Sequence, residues 1–233
     1  MSARLSLVDL GRRPYLEVLE LQRTLCRERT AGDRRRDLLL LVEHEPTITL
    51  GRGTREASLP VNPAELARRG FTVAEVERGG DVTYHGPGQL VGYPILDLRE
   101  HREDLHWYLR QLETALIAAL DTLGVRAERS PGLTGVWTQG RKIASLGIHV
   151  KQWVTFHGFA LNVNPDLEAF QTIVPCGIPG VVMTSLSKEL GRQDAGRLWT
   201  ETREAVIGKF VETFGYDGVE EEVGVPDLSF RSG

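Results

Sequence analysis

Apolar positions along the chain fall into alternating, helical and unbroken rhythms, separated by polar or glycine-bearing breaks. Alternation over residues 4–10 predicts a strand. Pro14 then opens a helical spacing through Tyr15, Val18, Leu19, Gln22, Leu25 and Cys26, which stops before Asp33-Arg34-Arg35-Arg36. Cys26 falls on the apolar face and reads as core filler. The short run from Leu38 to Val42 predicts a strand covered on both faces, with residues 47–50 pairing beside it. Asn62-Pro63 and Gly70 bracket a helix over residues 64–69, and residues 71–76 alternate as a strand. After a glycine-rich loop, residues 90–96 return as a strand.

Helical spacing resumes over residues 104–123, with Leu105, Tyr108, Leu109, Leu112, Leu116, Leu120 and Leu123 on one stripe and Gly124 as the stop. Strands are expected at residues 125–128, 135–138, 143–150 and 154–163, with a turn at Gln139-Gly140. A last helix near residues 197–214 carries Ile207, Phe210, Val211 and Phe214 on one face, and the acidic stretch 217–222 reads as solvated surface. Strand-rich and helix-rich stretches mix without strict β-α-β alternation, which predicts an α+β fold, a mixed sheet packed with helices.

Composition narrows the class of function. A chain of 233 residues, 41% hydrophobic and 26% charged, suits a single domain over residues 1–233, since no linker or repeat divides it. A net charge of −4 gives no basic footprint for nucleic acid or a membrane surface. The sequence shows neither an N-terminal apolar leader nor a run of transmembrane length, and its two cysteines, Cys26 and Cys176, cannot staple a secreted scaffold. A cytoplasmic protein is expected.

Two stretches carry more than packing needs. In Pro175-Cys176-Gly177-Ile178-Pro179-Gly180 the prolines limit rotation and remove donors, while the glycines permit conformations that a side chain blocks. Such a turn can present Cys176 as a nucleophile or pack it as a small hydrophobe, and a partner elsewhere must decide. Arg78-Gly79-Gly80-Asp81-Val82-Thr83-Tyr84-His85-Gly86-Pro87-Gly88-Gln89 packs four glycines, an arginine and a histidine into one loop. Its backbone could approach a ligand, and Arg78 could grip a carboxylate or orient the loop. It matches neither a dinucleotide fingerprint nor a Walker loop. Among proton acceptors, six histidines compete with Lys142, which starts an apolar strand after a turn. A neutral Lys142 could accept the thiol proton, and a cationic one would favour the thiolate.

The block from Arg78 to Tyr93 resembles the signature of octanoyltransferases, also called lipoate-protein ligase B. Gly140-Arg141-Lys142-Ile143-Ala144-Ser145-Leu146-Gly147, His157-Gly158-Phe159-Ala160-Leu161-Asn162 and Pro175-Cys176-Gly177-Ile178 are similar to further blocks of that family. The resemblance implies a biotin/lipoate-protein ligase type of domain that moves an octanoyl (or lipoyl) group from acyl carrier protein to a lysine of lipoyl domains. The acceptors implied are 2-oxoacid dehydrogenase complexes and the glycine cleavage H protein. Cys176 matches the acyl-accepting thiol, and Lys142 the residue that favours its thiolate and shuttles the proton. Arg78, Gly79, Gly80, Asp81, Val82, Thr83, Tyr84 and His85, with Ser145, Leu146, Gly147, Gly158, Phe159 and Ala160, match the acyl-binding segments. No metal or organic cofactor is implied. The rival readings are an ATP-dependent ligase, which needs no nucleophilic thiol, and a non-catalytic acyl-binding module. Arg12, Arg13 and Arg141 are candidate contacts for an acidic carrier.

Overall fold

The computed structural model describes residues 4–222. In chain order the elements are β1 (Arg4–Arg13), α1 (Tyr15–Ala31), β2 (Leu38–His44), β3 (Thr47–Leu50), α2 (Pro63–Arg68), β4 (Thr72–Glu75), β5 (Thr83–His85) and β6 (Gln89–Ile95). There follow α3 (Leu105–Thr122), β7 (Val136–Thr138), β8 (Arg141–Lys151), β9 (Val154–Asn162), α4 (Leu186–Leu190), α5 (Ala195–Phe214) and β10 (Gly218–Glu221). Seven strands form one mixed sheet in the order β10-β1-β2-β6-β9-β8-β7, and β4-β3-β5 form a smaller one. This is the α+β arrangement that the mixed periodicities predict.

The unbroken Leu run of β2 is buried on both faces, as its pattern requires. Leu38, Leu40 and Val42 share a cluster with Val18, Leu19, Leu25 and Cys26 of α1, while Leu39 and Leu41 share another with Tyr108, Leu112 and Leu116 of α3 and Phe210 and Phe214 of α5. Local chemistry sets the helix ends. The Asp104 side chain accepts from the amides of His106 and Trp107 to start α3, and left-handed Gly32 and Gly215 close α1 and α5. The buried stripe of α5 runs through Leu198, Thr202, Val206, Phe210 and Phe214, with Ile207 and Val211 only half-buried.

Several sequence expectations are corrected here. β3 does not pair with β2: it lies between β4 and β5 in the small sheet. Residues 125–128 form no strand, only one bridge between Glu128 and Trp137. Residues 217–222 keep their carboxylates at the surface, but residues 218–221 also form β10, an edge strand parallel to β1 that the composition does not announce. The glycine-rich loop contains β5, whose Thr83 and His85 point one way and Tyr84 the other. Among the described residues no helix is long and apolar enough to cross a membrane.

Candidate active site

Cys176 sits on a single 3₁₀ turn, Pro175–Gly177, held against the small sheet by a 3.0 Å bond from its amide to the Val82 carbonyl. Its own backbone is left-handed, with φ 58°, a conformation a non-glycine residue adopts only under the constraint of its surroundings. The constraint is visible next door. Gly177 is also left-handed, and a Cβ there would lie 2.2 Å from the Asp81 carboxylate, so only glycine fits. Asp81 accepts from Ser58 Oγ at 2.7 Å and from the Val82 amide at 2.7 Å, while Arg55 donates to the Gly177 carbonyl at 2.9 Å.

Lys142 comes to the same sulfur from the large sheet. It is 1% exposed, and its Nζ stands 3.0 Å from Cys176 Sγ and 3.0 Å from the Thr134 carbonyl. The backbone around it is pinned by 2.8 and 2.9 Å bonds to Val182 and Thr184 on the segment after the cysteine turn. Gly135, at φ 134°, opens the channel for the lysine stem, since a Cβ there would meet Lys142 Cε at 2.6 Å. The Ser145 hydroxyl lies 3.9 Å from the sulfur. At this distance the pair can exchange a proton directly, and no histidine among the described residues is hydrogen-bonded to the thiol.

A cavity of about 240 Å³ opens at this dyad. Of the residues singled out from sequence, Arg78, Gly80, Asp81, Val82, Thr83, His85, Ser145, Leu146, Gly147, Gly158, Phe159 and Ala160 line it. Gly79 and Tyr84 do not. Gly79 donates its amide to Ile148, and the Tyr84 ring turns away to stack edge-on against Phe71 and Phe170. Arg78 is an orienting residue: its guanidinium donates to Thr49 O and Oγ1 at 2.9 and 2.8 Å and to Asp81 O at 2.8 Å, tying the glycine loop to β3. Gly147 gives this arginine room, because a Cβ would meet Arg78 Cδ at 2.9 Å.

Sequence reasoning missed Tyr15, Tyr93 and His157 on the cavity wall. Tyr15 occupied a core position of a helix pattern, and Tyr93 and His157 stood inside recognised blocks without a role. His157 is left-handed within β9, at φ 57°, with its amide held by Gln22 Oε1 at 2.8 Å. Burial lowers its pKa and that of His85, and lowers His44 to about 4. The Arg13 carbonyl beside His44 Nδ1 requires that nitrogen to donate, so Nε2 accepts from the Tyr93 hydroxyl at 2.7 Å. Two of the arginines considered for carrier docking are engaged elsewhere, Arg12 with Glu45 and Arg141 with Glu189.

The profile of the Lipoyl protein ligase A/B catalytic domain family matches residues 14–214. An octanoyltransferase of Gloeobacter violaceus is 56% identical over 75% of this chain and 77% of its own, and one from a Nostoc species is 46% identical over 92% and 94%. A lipoate-protein ligase A bound with ATP shares the fold at a TM-score of 0.73, with 17% identity over 98% of this chain and 91% of its own. A putative lipoate protein ligase from Thermoplasma acidophilum with bound lipoic acid superposes at 0.72, with 17% identity over 98% and 92%.

Proposed function

The chain belongs to the lipoyl protein ligase A/B family, on its octanoyltransferase side, and is an acyltransferase; from that premise we propose a covalent two-step transfer through Cys176. An octanoyl (or lipoyl) group passes from acyl carrier protein to the sulfur, then to a specific lysine of a lipoyl domain, with residues 1–233 acting as one catalytic domain in the cytoplasm. The observation that carries this reading is the 3.0 Å approach of Lys142 Nζ to Cys176 Sγ at the cavity.

In the first step the Lys142 ammonium stabilises the thiolate, which attacks the donor thioester carbonyl. The carrier thiolate leaves and takes the proton that Lys142 holds. In the second, Lys142 accepts a proton from the incoming lysine amine as that nitrogen attacks, and the Cys176 thiolate is expelled. Each tetrahedral oxyanion needs donors. The Cys176 and Gly177 amides are already given to Val82 O and Val174 O, which leaves the Ser145 hydroxyl and Lys142 as the donors nearest the sulfur. The carrier thioester is already activated, so the reaction needs no ATP.

Incubation with octanoyl-acyl carrier protein, followed by intact mass and peptide mapping, is expected to give one octanoyl adduct on Cys176. An adduct on lysine alone, or octanoate-dependent exchange of pyrophosphate into ATP, would replace this mechanism with an adenylating one.

A further inference from the structure

The carboxylate of Asp81, buried beside the cysteine turn, joins three separate supports of that turn. Its Oδ1 accepts from the Val82 amide at 2.7 Å, and its Oδ2 accepts from Ser58 Oγ at 2.7 Å and pairs with Arg55 Nε at 3.4 Å. Each of those partners holds a different residue of the turn by its backbone. Ser58 O accepts from the Val174 amide at 2.9 Å, Val82 O accepts from the Cys176 amide at 3.0 Å, and Arg55 Nη2 donates to Gly177 O at 2.9 Å. One side chain thus sits behind every bond that ties residues 174, 176 and 177 to the segment 55–82.

The turn needs such support. Cys176 and Gly177 are left-handed in succession, at φ 58° and 65°, and a non-glycine residue stays in that region only when its surroundings over-determine it. Lys142 approaches from the opposite side, its backbone bonded to Val182 and Thr184, so the 3.0 Å contact between Nζ and Sγ depends on the turn being held from the Asp81 side. Asp81 is 7% exposed and Ser58 2%, and among the described residues the carboxylate is bonded to neither Cys176 nor Lys142, which excludes it as a direct proton carrier for the pair. By charge alone a carboxylate is the wrong neighbour for a sulfur that must become a thiolate. What suits Asp81 to this place is its capacity to accept several hydrogen bonds at once.

We propose that Asp81 is a positioning residue: acting through Ser58, Val82 and Arg55, it fixes the left-handed turn that brings Cys176 to Lys142. Its carboxylate is spent on the nucleophile's backbone, although the residue lines the cavity. The proposal rests on the acyl-transfer reading, in which the contact between sulfur and lysine is the working one, but that contact can be measured with no acyl donor present.

The test is the pH dependence of iodoacetamide alkylation at Cys176, with peptide mapping to separate Cys26, in the parent, Ser58→Ala, Asp81→Asn and Asp81→Ala, and in Lys142→Ala with and without Ser58→Ala. Removing the carboxylate's charge alone would ease formation of the thiolate and move the profile to lower pH, whereas loosening the turn moves it to higher pH, toward that of Lys142→Ala. Ser58→Ala alters no charge and no residue of the cavity wall, and it is expected to slow alkylation near neutral pH by about three- to tenfold, on the scale of one hydrogen bond, with the midpoint raised. Asp81→Ala is expected to do the same or more. Asp81→Asn keeps an acceptor for the Val82 amide and a partner for Ser58, so its midpoint is expected at or slightly below the parent's. In the Lys142→Ala background, Ser58→Ala is expected to change the rate by less than about twofold, because the contact it supports is already gone. In octanoyl transfer, kcat of Ser58→Ala should fall with KM for the donor unchanged. A profile that moves to lower pH in Asp81→Ala, or stays in place in Ser58→Ala, overturns the proposal. A raised KM with an unmoved profile would make Asp81 a substrate contact and overturn it equally. Should Asp81→Ala fail to fold, Ser58→Ala decides; and because alkylation needs no donor, the result stands even if no octanoyl adduct forms on Cys176.

Discussion

Two groups of buried polar side chains sit in this molecule under opposite rules. In the first, Asp37 at the start of β2 is saturated: its carboxylate accepts from Arg29 at 3.1 Å, from the Asp97 amide at 2.9 Å, and from His101 and Tyr216 at 2.8 Å each. Arg29 is further paired with Glu100 at 2.7 Å and lies 3.6 Å from Asp97. That network ties α1, β2, the turn after β6 and the end of α5 together, and leaves little for a ligand to bond. The second group, around Cys176, is arranged otherwise, with a left-handed nucleophile and a buried lysine whose partners are one carbonyl and the sulfur itself. The first group is closed on itself and holds elements of the fold together, whereas the second leaves the sulfur and its lysine at the wall of a cavity.

The contrast can be broken first at the sulfur. Cys176→Ala is expected to lower octanoyl transfer by at least about 10³-fold with little change in melting temperature, because the one side-chain bond alanine loses comes from Lys142 Nζ, which keeps the Thr134 carbonyl. A variant that melted early would put the thiol in the structural class. Lys142→Ala should cost about 10² to 10⁴ in transfer rate as a lost proton-transfer group. It should also slow iodoacetamide alkylation of Cys176 near neutral pH and move the alkylation profile to higher pH. Lys142→Arg keeps the charge without the base, so it should retain part of the alkylation rate and little transfer. Were His85→Ala to move that profile while Lys142→Ala left it alone, the base would be a histidine.

On the structural side, Asp37→Ala leaves the Arg29 charge without its main buried partner and should destabilise the protein by about 3–5 kcal/mol in urea titrations. Activity per folded molecule should stay at the parent level. A loss of turnover without a loss of stability would erase the distinction. The smallest effect concerns pH. His44 has a folded pKa of about 4, below the ordinary histidine value, so between those limits the unfolded chain binds the extra proton and stability falls as pH is lowered. The contribution is present above the unfolded pKa and is lost as pH drops through the folded one. Stability measured from pH 6.5 to 4 should lose up to about 1.4 kcal/mol per pH unit from this one group, and His44→Asn should remove that share of the slope.

Much of this was legible before any coordinates. The stripes of α1, α3 and α5 and the doubly covered β2 follow from periodicity, since a buried face leaves its period in the residues. β5 escaped because three residues between glycines carry too little pattern, and β3 found partners far along the chain that its own four residues do not specify. Residues 125–128 have strand-like composition but only one bridging partner. In the site, Cys176, Lys142 and the glycine-lined walls were readable from recognised blocks. Tyr15 was not, because on a helix the period of a core residue and that of a residue lining a cavity are the same. Nor did the turn of His157 into the left-handed region leave a mark in composition.

The acidic stretch that looked like idle surface has a colloidal consequence. β10 closes one end of the seven-stranded sheet, where an open backbone edge would invite another chain to add itself and begin an aggregate. Glu220 and Glu221 are exposed on that strand and Glu222 follows it, paired in turn with Arg36, Arg203 and Arg34. A second sheet arriving there meets a row of ion-paired carboxylates and long guanidinium arms that it must strip of water before it can pair, so the rim acts as a guard against polymerisation.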